Sequence, residues 1–212
     1  PKTVRRQRQM CIRDSSCGYQ LAFITAHFPA LVTEMSAPID PLGWCGDLGI
    51  ETTAALGGFA ISVIGGANII GTLMAGWAGK RFGKKWLLSG IYAGRSIAAA
   101  WFILTPITAN TVLIFSFAMG FLWLATVPLT SGLVAHIYGI RYMATLYGIV
   151  FFSHQVGSFV GVYLGGVLYD MYGSYTTVWW IGIAVGVFSS LIHLPIREEA
   201  RLSPRSTMFN KA

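Results

Sequence analysis

The sequence predicts an all-α, polytopic membrane protein with six transmembrane helices. The chain of 212 residues is 54% hydrophobic and only 11% charged, whereas a soluble domain carries about 25% charged residues. Apolar stretches of about 20 residues, the length that crosses a bilayer, recur along nearly the whole chain. Because lipid is the solvent for such stretches, no room is left for a soluble catalytic or nucleotide-binding domain.

The predicted helices follow one another with short connections. They cover residues 16–35, 53–78, 86–105, 111–135, 143–168 and 176–195. Each is predominantly apolar and close to the length that spans the hydrocarbon layer. Residues 16–198 are therefore predicted to form one membrane domain, and residues 199–212 a cytoplasmic tail.

Residues 1–15 are set apart from the fold prediction. The stretch QRQMCIRDS resembles translated sequencing-adapter read-through, and the segment shows no helical periodicity. It also lacks the apolar core and cleavage site of a signal peptide. We therefore expect a non-native tail. Without it the net charge falls from +7 to +3, so the basic balance does not indicate a nucleic-acid partner.

Charge alternates between the connections. The first connection is acidic, with Glu34, Asp40, Asp47 and Glu51, whereas Lys and Arg occupy the second and fourth connections and the segment after the sixth helix. Basic loops face the cytoplasm in membrane proteins. The pattern predicts a multi-pass protein of the inner (plasma) membrane with both ends cytoplasmic.

The second connection combines cations with glycine in the stretch GWAGKRFGKK, residues 76–85. Gly79 is predicted to end the second helix in the left-handed conformation. Gly83 is predicted to make the reversal into the third helix, and Gly76 to allow another backbone to come close.

This stretch resembles the cytoplasmic-loop signature of the major facilitator superfamily. The signature is glycine, three residues, aspartate, a basic residue, any residue, glycine and two basic residues. Gly76, Arg81, Gly83, Lys84 and Lys85 match it, and Lys80 stands at the aspartate position. In the family the acidic residue helps to latch the cytoplasmic side.

Three further stretches resemble bacterial monocarboxylate-transporter-like members of that superfamily. They are residues 17–30, 123–135 and 165–175. The resemblance implies a C-terminal half, helices seven to twelve, built as two inverted three-helix repeats. It also implies a missing N-terminal six-helix half, surrounding membrane lipid and a small-molecule substrate, with a proton as one candidate for coupling.

Independently of the resemblance, the middle helix of each set of three is rich in glycine. Gly157, Gly161 and Gly165 are four residues apart and share one face of the fifth helix. Small residues on one face allow helices to pack closely, and nested repeats of three helices are typical of transporters. Plain helix packing explains each glycine equally well.

Among the polar residues at membrane depth, Arg95 has the largest free-energy cost of burial. It carries a charge near the middle of the third predicted helix. No Asp or Glu lies deep in any predicted helix to pair with it. Intramembrane charges face protein or a cavity and mark functional sites. Either an anion site or a structural tie between helices would account for it.

Further candidates for substrate binding lie on the first, second, fourth and fifth predicted helices. They are Gln20, His27, Asn68, Trp123, Thr126, Thr130, His154 and Gln155. The resemblance places the first and fourth helices at a central cavity, and His154 could carry a proton. Hydrogen bonding between packed helices is the alternative for every member of this set.

Prolines interrupt the first and fourth predicted helices. Pro29 and Pro128 each remove a backbone hydrogen bond, and such breaks are common where transporters gate.

The resemblance and the composition together predict a secondary active transporter that moves a small solute, in particular an organic monocarboxylate, by alternating access. Efflux of amphipathic drug-like compounds is one alternative, and a non-transporting membrane receptor or scaffold is another. An enzyme is not expected, since the sequence has no phosphate loop, serine elbow, paired carboxylates or metal cluster. No cofactor or metal is implied.

Overall fold

The computed structural model describes residues 2–33, 39 and 43–195, without the side chains of residues 2–6 and 9. All regular elements in these ranges are helical: α1 (Lys2–Thr33), α2 (Trp44–Asp47), α3 (Thr53–Arg81), α4 (Lys84–Leu104), α5 (Ala109–Leu122), α6 (Thr126–Tyr138), α7 (Met143–Tyr172) and α8 (Thr176–His193), with a 3-10 turn at Ile140–Tyr142. The predicted tail 199–212 lies outside the described residues, as do Glu34 and Asp40.

Five stretches within these ranges are long and apolar enough to cross a membrane. They are Thr53–Arg81, Lys84–Leu104, Ala109–Tyr138, Ile140–Tyr172 and Thr176–His193, and they agree within a few residues with the last five predicted helices. The helix α1 is not among them, because Gln20, His27 and its charged first half lower its hydropathy. The count of six transmembrane helices therefore stays a prediction.

The helix α1 also begins earlier than predicted. It runs from Lys2 to Thr33 without interruption, so residues 2–15 extend the first predicted helix. The interruption predicted at Pro29 is wrong, because Pro29 lies inside α1. The proposed non-native origin of residues 1–15 stays a prediction.

Local sequence accounts for four of the helix ends. The Thr52 hydroxyl accepts a hydrogen bond from the Ala55 N–H at 3.1 Å and caps α3. Thr108 and Thr111 form a reciprocal capping box at the start of α5, which satisfies amides that a helix start leaves free. Gly139 and Gly173 end α6 and α7 with φ of 82° and 64°, a region that favours glycine.

The assignments of Gly79 and Gly76 are wrong, whereas Gly83 lies between α3 and α4, where the reversal is predicted. Gly79 lies inside α3, which continues to Arg81, and Gly83 precedes α4 with an ordinary φ of −59°. Gly79 is buried because Leu129 of α6 packs onto it, 2.6 Å from the position that a Cβ would take. A Cβ at Gly76 would meet no described atom within 4 Å. At Gly79 the small residue serves packing against Leu129 rather than a turn.

The helices form one bundle in which the two predicted sets of three interleave. The most extensive contacts join α1 to α7, α4 to α8, and α3 to α5. Each of these pairs takes one helix from the first set and one from the second. The first set is α1, α3 and α4, and the second is α5 with α6, α7 and α8. If each helix is exchanged for its counterpart in the other set, the same three pairs result, which supports the predicted internal repeat.

Two apolar cores fill opposite ends of the bundle. One contains the aromatic rings of Phe28, Phe102, Phe115 and Trp179. The other is aliphatic and is built mainly from the start of α4 and from α6, including Leu88, Leu129 and Leu133. Along α4, residue 95 falls between the two cores. The bundle therefore has a polar layer between two apolar ends.

Candidate functional site

The centre of the polar layer is the fully buried guanidinium of Arg95. Its Nε donates to the Leu122 carbonyl at 3.0 Å, and its Nη2 donates to the same oxygen at 2.7 Å and to the Trp123 carbonyl. Its Nη1 donates to the Cys17 Sγ at 3.3 Å. Arg95 thus joins α4 to α1 and to the segment between α5 and α6.

A break in the fourth predicted helix supplies these carbonyl acceptors. Helix α5 ends at Leu122 and α6 begins at Thr126. Pro128 explains the interruption, because proline has no N–H and its ring clashes with the carbonyl four residues earlier, here that of Leu124. A helix end leaves carbonyl oxygens without intrahelical partners, and Arg95 takes up two of them. The prediction that Pro128 interrupts this helix is confirmed, and a gating role stays a prediction.

Asn68 of α3 stabilises the same break from the other side. Its Oδ1 accepts the Leu124 N–H at 3.0 Å and the Thr72 hydroxyl at 3.2 Å. The structure therefore gives this predicted substrate residue a role in capping the interrupted helix.

We expect Asn68→Ala to lower the free energy of unfolding by about 1 kcal/mol, because the Leu124 N–H loses its acceptor. Thermal unfolding of the purified protein in detergent measures the change. Ser62→Ala is the matched control on α3, since its hydroxyl donates to the Gly58 carbonyl of the same helix. Equal melting temperatures for the two variants would contradict the capping role.

Cys17, Thr126 and Tyr92 complete the immediate surroundings of Arg95. The Cys17 Sγ lies 3.7 Å from the Thr126 Oγ1, and the Arg95 guanidinium carbon is 5.3 Å from the centre of the Tyr92 ring. The Tyr92 ring stacks on His193, with centroids 4.9 Å apart. None of these side chains is a carboxylate.

His154 approaches this cluster from α7. Its Nδ1 lies 3.8 Å from the Asp14 Oδ2. Within the described part of the chain, this pair is the one ion-pair contact. Asp14 belongs to residues 1–15, the segment expected to be a non-native tail. The other described carboxylates, Asp47, Glu51 and Asp170, lie at or near helix ends, so Arg95 has no carboxylate within 4.0 Å among the described residues.

Gln20 and His27 are seven residues apart and therefore lie on one face of α1. They nevertheless bond to different helices. The Gln20 Nε2 donates to the Gly182 carbonyl of α8 at 2.8 Å. The His27 Nε2 lies 3.1 Å from the Val162 carbonyl of α7. Both contacts match the alternative of hydrogen bonding between packed helices.

The structure thus brings some predicted residues together and separates others. Asn68, Arg95, Trp123 and Thr126 surround the break between α5 and α6. Thr130 lies one turn further along α6, beside a small cavity that Tyr92 and His193 also line. Gln155 is exposed on α7. A substrate role for any of these residues stays a prediction.

Sequence reasoning missed Cys17, Tyr92 and Asp14. Cys17 precedes Gln20 by three residues, and Tyr92 precedes Arg95 by three, so helical spacing places each beside a predicted residue. That spacing was the available signal for both. Asp14 was missed because residues 1–15 were excluded from the fold.

The row of glycines on α7 faces α1. Gly157, Gly161 and Gly165 are buried, and a Cβ on any of them would overlap atoms of α1. The prediction that these glycines share one packing face is confirmed, and the helix they contact is α1.

The loop motif lies at the junction of α3 and α4, against α6. The Lys84 stem packs on Gly132, its Cε 3.3 Å from the position of an added Cβ. Arg81 lies over the Trp77 ring at 4.5 Å and Lys85 over the Trp86 ring at 5.1 Å. Lys80 is exposed at the end of α3. Exposed Trp beside cations is typical of a membrane–water interface.

Comparison with known proteins identifies the family. The profile of the family described as Major Facilitator Superfamily matches residues 20–209. The chain is 26% identical over 185 residues to the uncharacterized MFS-type transporter YcxA of Bacillus subtilis (strain 168), covering 84% of this chain and 41% of that protein. The chain therefore spans about two fifths of the length of this curated relative. Because the family profile matches most of the chain, including α3 to α8, the chain belongs to the major facilitator superfamily of membrane transporters.

Proposed function

We propose that this protein is a secondary active transporter that carries a small organic monocarboxylate across the membrane by alternating access. Membership of the superfamily supports secondary transport, and the observation that supports an anionic substrate is the environment of Arg95. The guanidinium is fully buried, and its hydrogen-bond partners are two carbonyl oxygens and a thiol.

These partners leave one N–H group of Arg95 available to a ligand. Carbonyl dipoles solvate a cation but do not neutralise it, and a buried charge without a counter-ion is costly. Within the described residues, the four hydrogen bonds occupy four of the five N–H groups of Arg95. A carboxylate placed at the remaining Nη1 proton would accept a charge-assisted hydrogen bond.

We propose that His154 carries the coupling proton. It lies on α7 close to Cys17 and Asp14, and so beside the Arg95 cluster. An imidazole can gain and lose a proton near neutral pH. Binding of a carboxylate near Arg95 would favour a protonated His154, which links proton and substrate movement.

We further propose that the chain is the C-terminal six-helix half of the transporter and works with an N-terminal six-helix half. The partial coverage of the curated relative supports a longer protein. Among the five candidate spans, Ile140–Tyr172 is the least buried. Its exposed Phe152, Phe159 and Tyr163 lie away from the glycine row and offer a surface for the second half.

The proposed location is the inner (plasma) membrane, with both ends in the cytoplasm. Lys84 of the second connection packs on Gly132 of α6, and α6 leads to His136 and Arg141. These basic connections therefore lie at the same end of the bundle, as the positive-inside rule requires.

Uptake into proteoliposomes tests the proposed function. The intact protein is expected to accumulate radiolabelled lactate or pyruvate saturably, and faster when an inward proton gradient is imposed. Excess unlabelled monocarboxylate should compete, and an amphipathic cationic dye should not. Competition by the dye alone would support efflux of amphipathic compounds instead. Absence of saturable uptake of any solute would favour a receptor or scaffold.

A histidine variant tests the coupling. We expect His154→Gln to retain carboxylate exchange between the two sides of the vesicle and to lose stimulation by the proton gradient. His136→Gln is the control, because His136 lies exposed near the end of α6. Full stimulation in the His154 variant would exclude it as the proton carrier.

A further inference from the structure

Two buried polar atoms without partners lie in the seam between α1 and α8. The Gln20 Oε1 and the Trp179 Nε1 have no hydrogen-bond partner among the described residues. Gln20 is 5% exposed and Trp179 is 2% exposed. Buried polar atoms in proteins are nearly always paired, so an acceptor and a donor in the same region indicate a ligand.

The orientation of the Gln20 amide is fixed by its other contact. Its Nε2 donates to the Gly182 carbonyl at 2.8 Å. A flipped amide would place two oxygens against each other, which excludes the flip. The Oε1 therefore needs a donor from elsewhere, and the indole N–H of Trp179 needs an acceptor.

Both side chains line one small cavity. Its volume is about 20 Å³, and the other lining residues are Phe23, Ile24, Ala99, Met119, Gly182 and Ile183. A volume of about 10–15 Å³ is enough to hold a water molecule, provided that polar partners are present. The cavity is too small for an organic substrate.

We propose that one ordered water molecule occupies this cavity. The water accepts the Trp179 indole N–H and donates to the Gln20 Oε1, so that both atoms are satisfied. This water site is separate from the cluster around Arg95 and does not depend on the proposed substrate. It forms a second link between α1 and α8, beside the direct bond from Gln20 to Gly182.

A density map that resolves ordered water tests the proposal directly. In the intact protein we expect one peak within about 3.2 Å of both the Trp179 Nε1 and the Gln20 Oε1. An empty cavity overturns the proposal, and so does a direct hydrogen bond between the two side chains.

Vibrational spectroscopy tests the same site in a bilayer. The ultraviolet resonance Raman difference between the wild type and Trp179→Phe isolates the indole of Trp179, and we expect the signature of a hydrogen-bonded N–H. The difference obtained with Trp180→Phe is the control, because Trp180 is the exposed neighbour of Trp179 on the same helix. A non-bonded N–H at Trp179 overturns the proposal even if the Phe variant is less stable.

Discussion

Arg95→Ala is expected to abolish carboxylate uptake and to destabilise the bundle at the same time. The substitution removes the buried positive charge, and losing one partner of a buried charge pair reduces affinity by about 100-fold or more. It also strips the Leu122 and Trp123 carbonyls of their donor, at about 1–3 kcal/mol for each unpaired oxygen. Uptake in proteoliposomes and thermal unfolding in detergent measure the two effects separately.

Two further arginine variants distinguish the anion site from the structural tie. Arg95→Lys keeps the charge but cannot reach both carbonyls and the Cys17 thiol with one ammonium, so we expect weak uptake with reduced stability. Arg141→Ala is the control, because Arg141 is exposed on the 3-10 turn beside Tyr142. If Arg95→Ala lowers uptake only in proportion to the loss of folded protein, Arg95 is a structural tie alone.

The sequence predicts the last five spans within a few residues, because their apolar length decides them. The break at Pro128 agrees with the rule that proline lacks the N–H that a helix needs, but the same rule fails at Pro29, which lies inside the continuous helix α1. The position of Arg95 near the middle of its helix follows from counting residues along Lys84–Leu104. These features depend on one segment at a time. They hold for α3 to α8, whereas α1 differs from its predicted start and from its predicted interruption.

The partners of the polar residues are not predictable in the same way. Arg95 bonds to backbone oxygens of another helix, and a backbone oxygen has no sequence signature. Gln20 and His27 lie on one face of α1 yet bond to different helices, because the face is wide enough to touch two neighbours. Gly79 serves the packing of Leu129 rather than a turn, which only the arrangement of α3 against α6 reveals.

The second large effect is expected at Gly161. Replacing this glycine by alanine should destabilise the protein, although the same replacement usually stabilises a helix. Inside a helix, alanine is more favourable than glycine by about 0.5–1 kcal/mol. At Gly161, however, a Cβ would overlap the Tyr19 backbone, with its Cα at 3.0 Å and its carbonyl carbon at 3.1 Å. A backbone cannot rotate aside as a side chain can, so α1 must move away from α7.

We therefore expect Gly161→Ala to lower the free energy of unfolding by about 1–3 kcal/mol, the usual cost of overpacking. Gly166→Ala is the matched control on α7, since a Cβ there meets no described atom within 4 Å, and it should leave stability unchanged or raise it. Thermal unfolding of both variants in detergent measures the difference. Helix propensity acts equally at the two positions. Opposite changes in the free energy of unfolding are therefore due to the contact between α7 and α1. Equal stabilisation by both substitutions would mean that α1 does not pack against the glycine row.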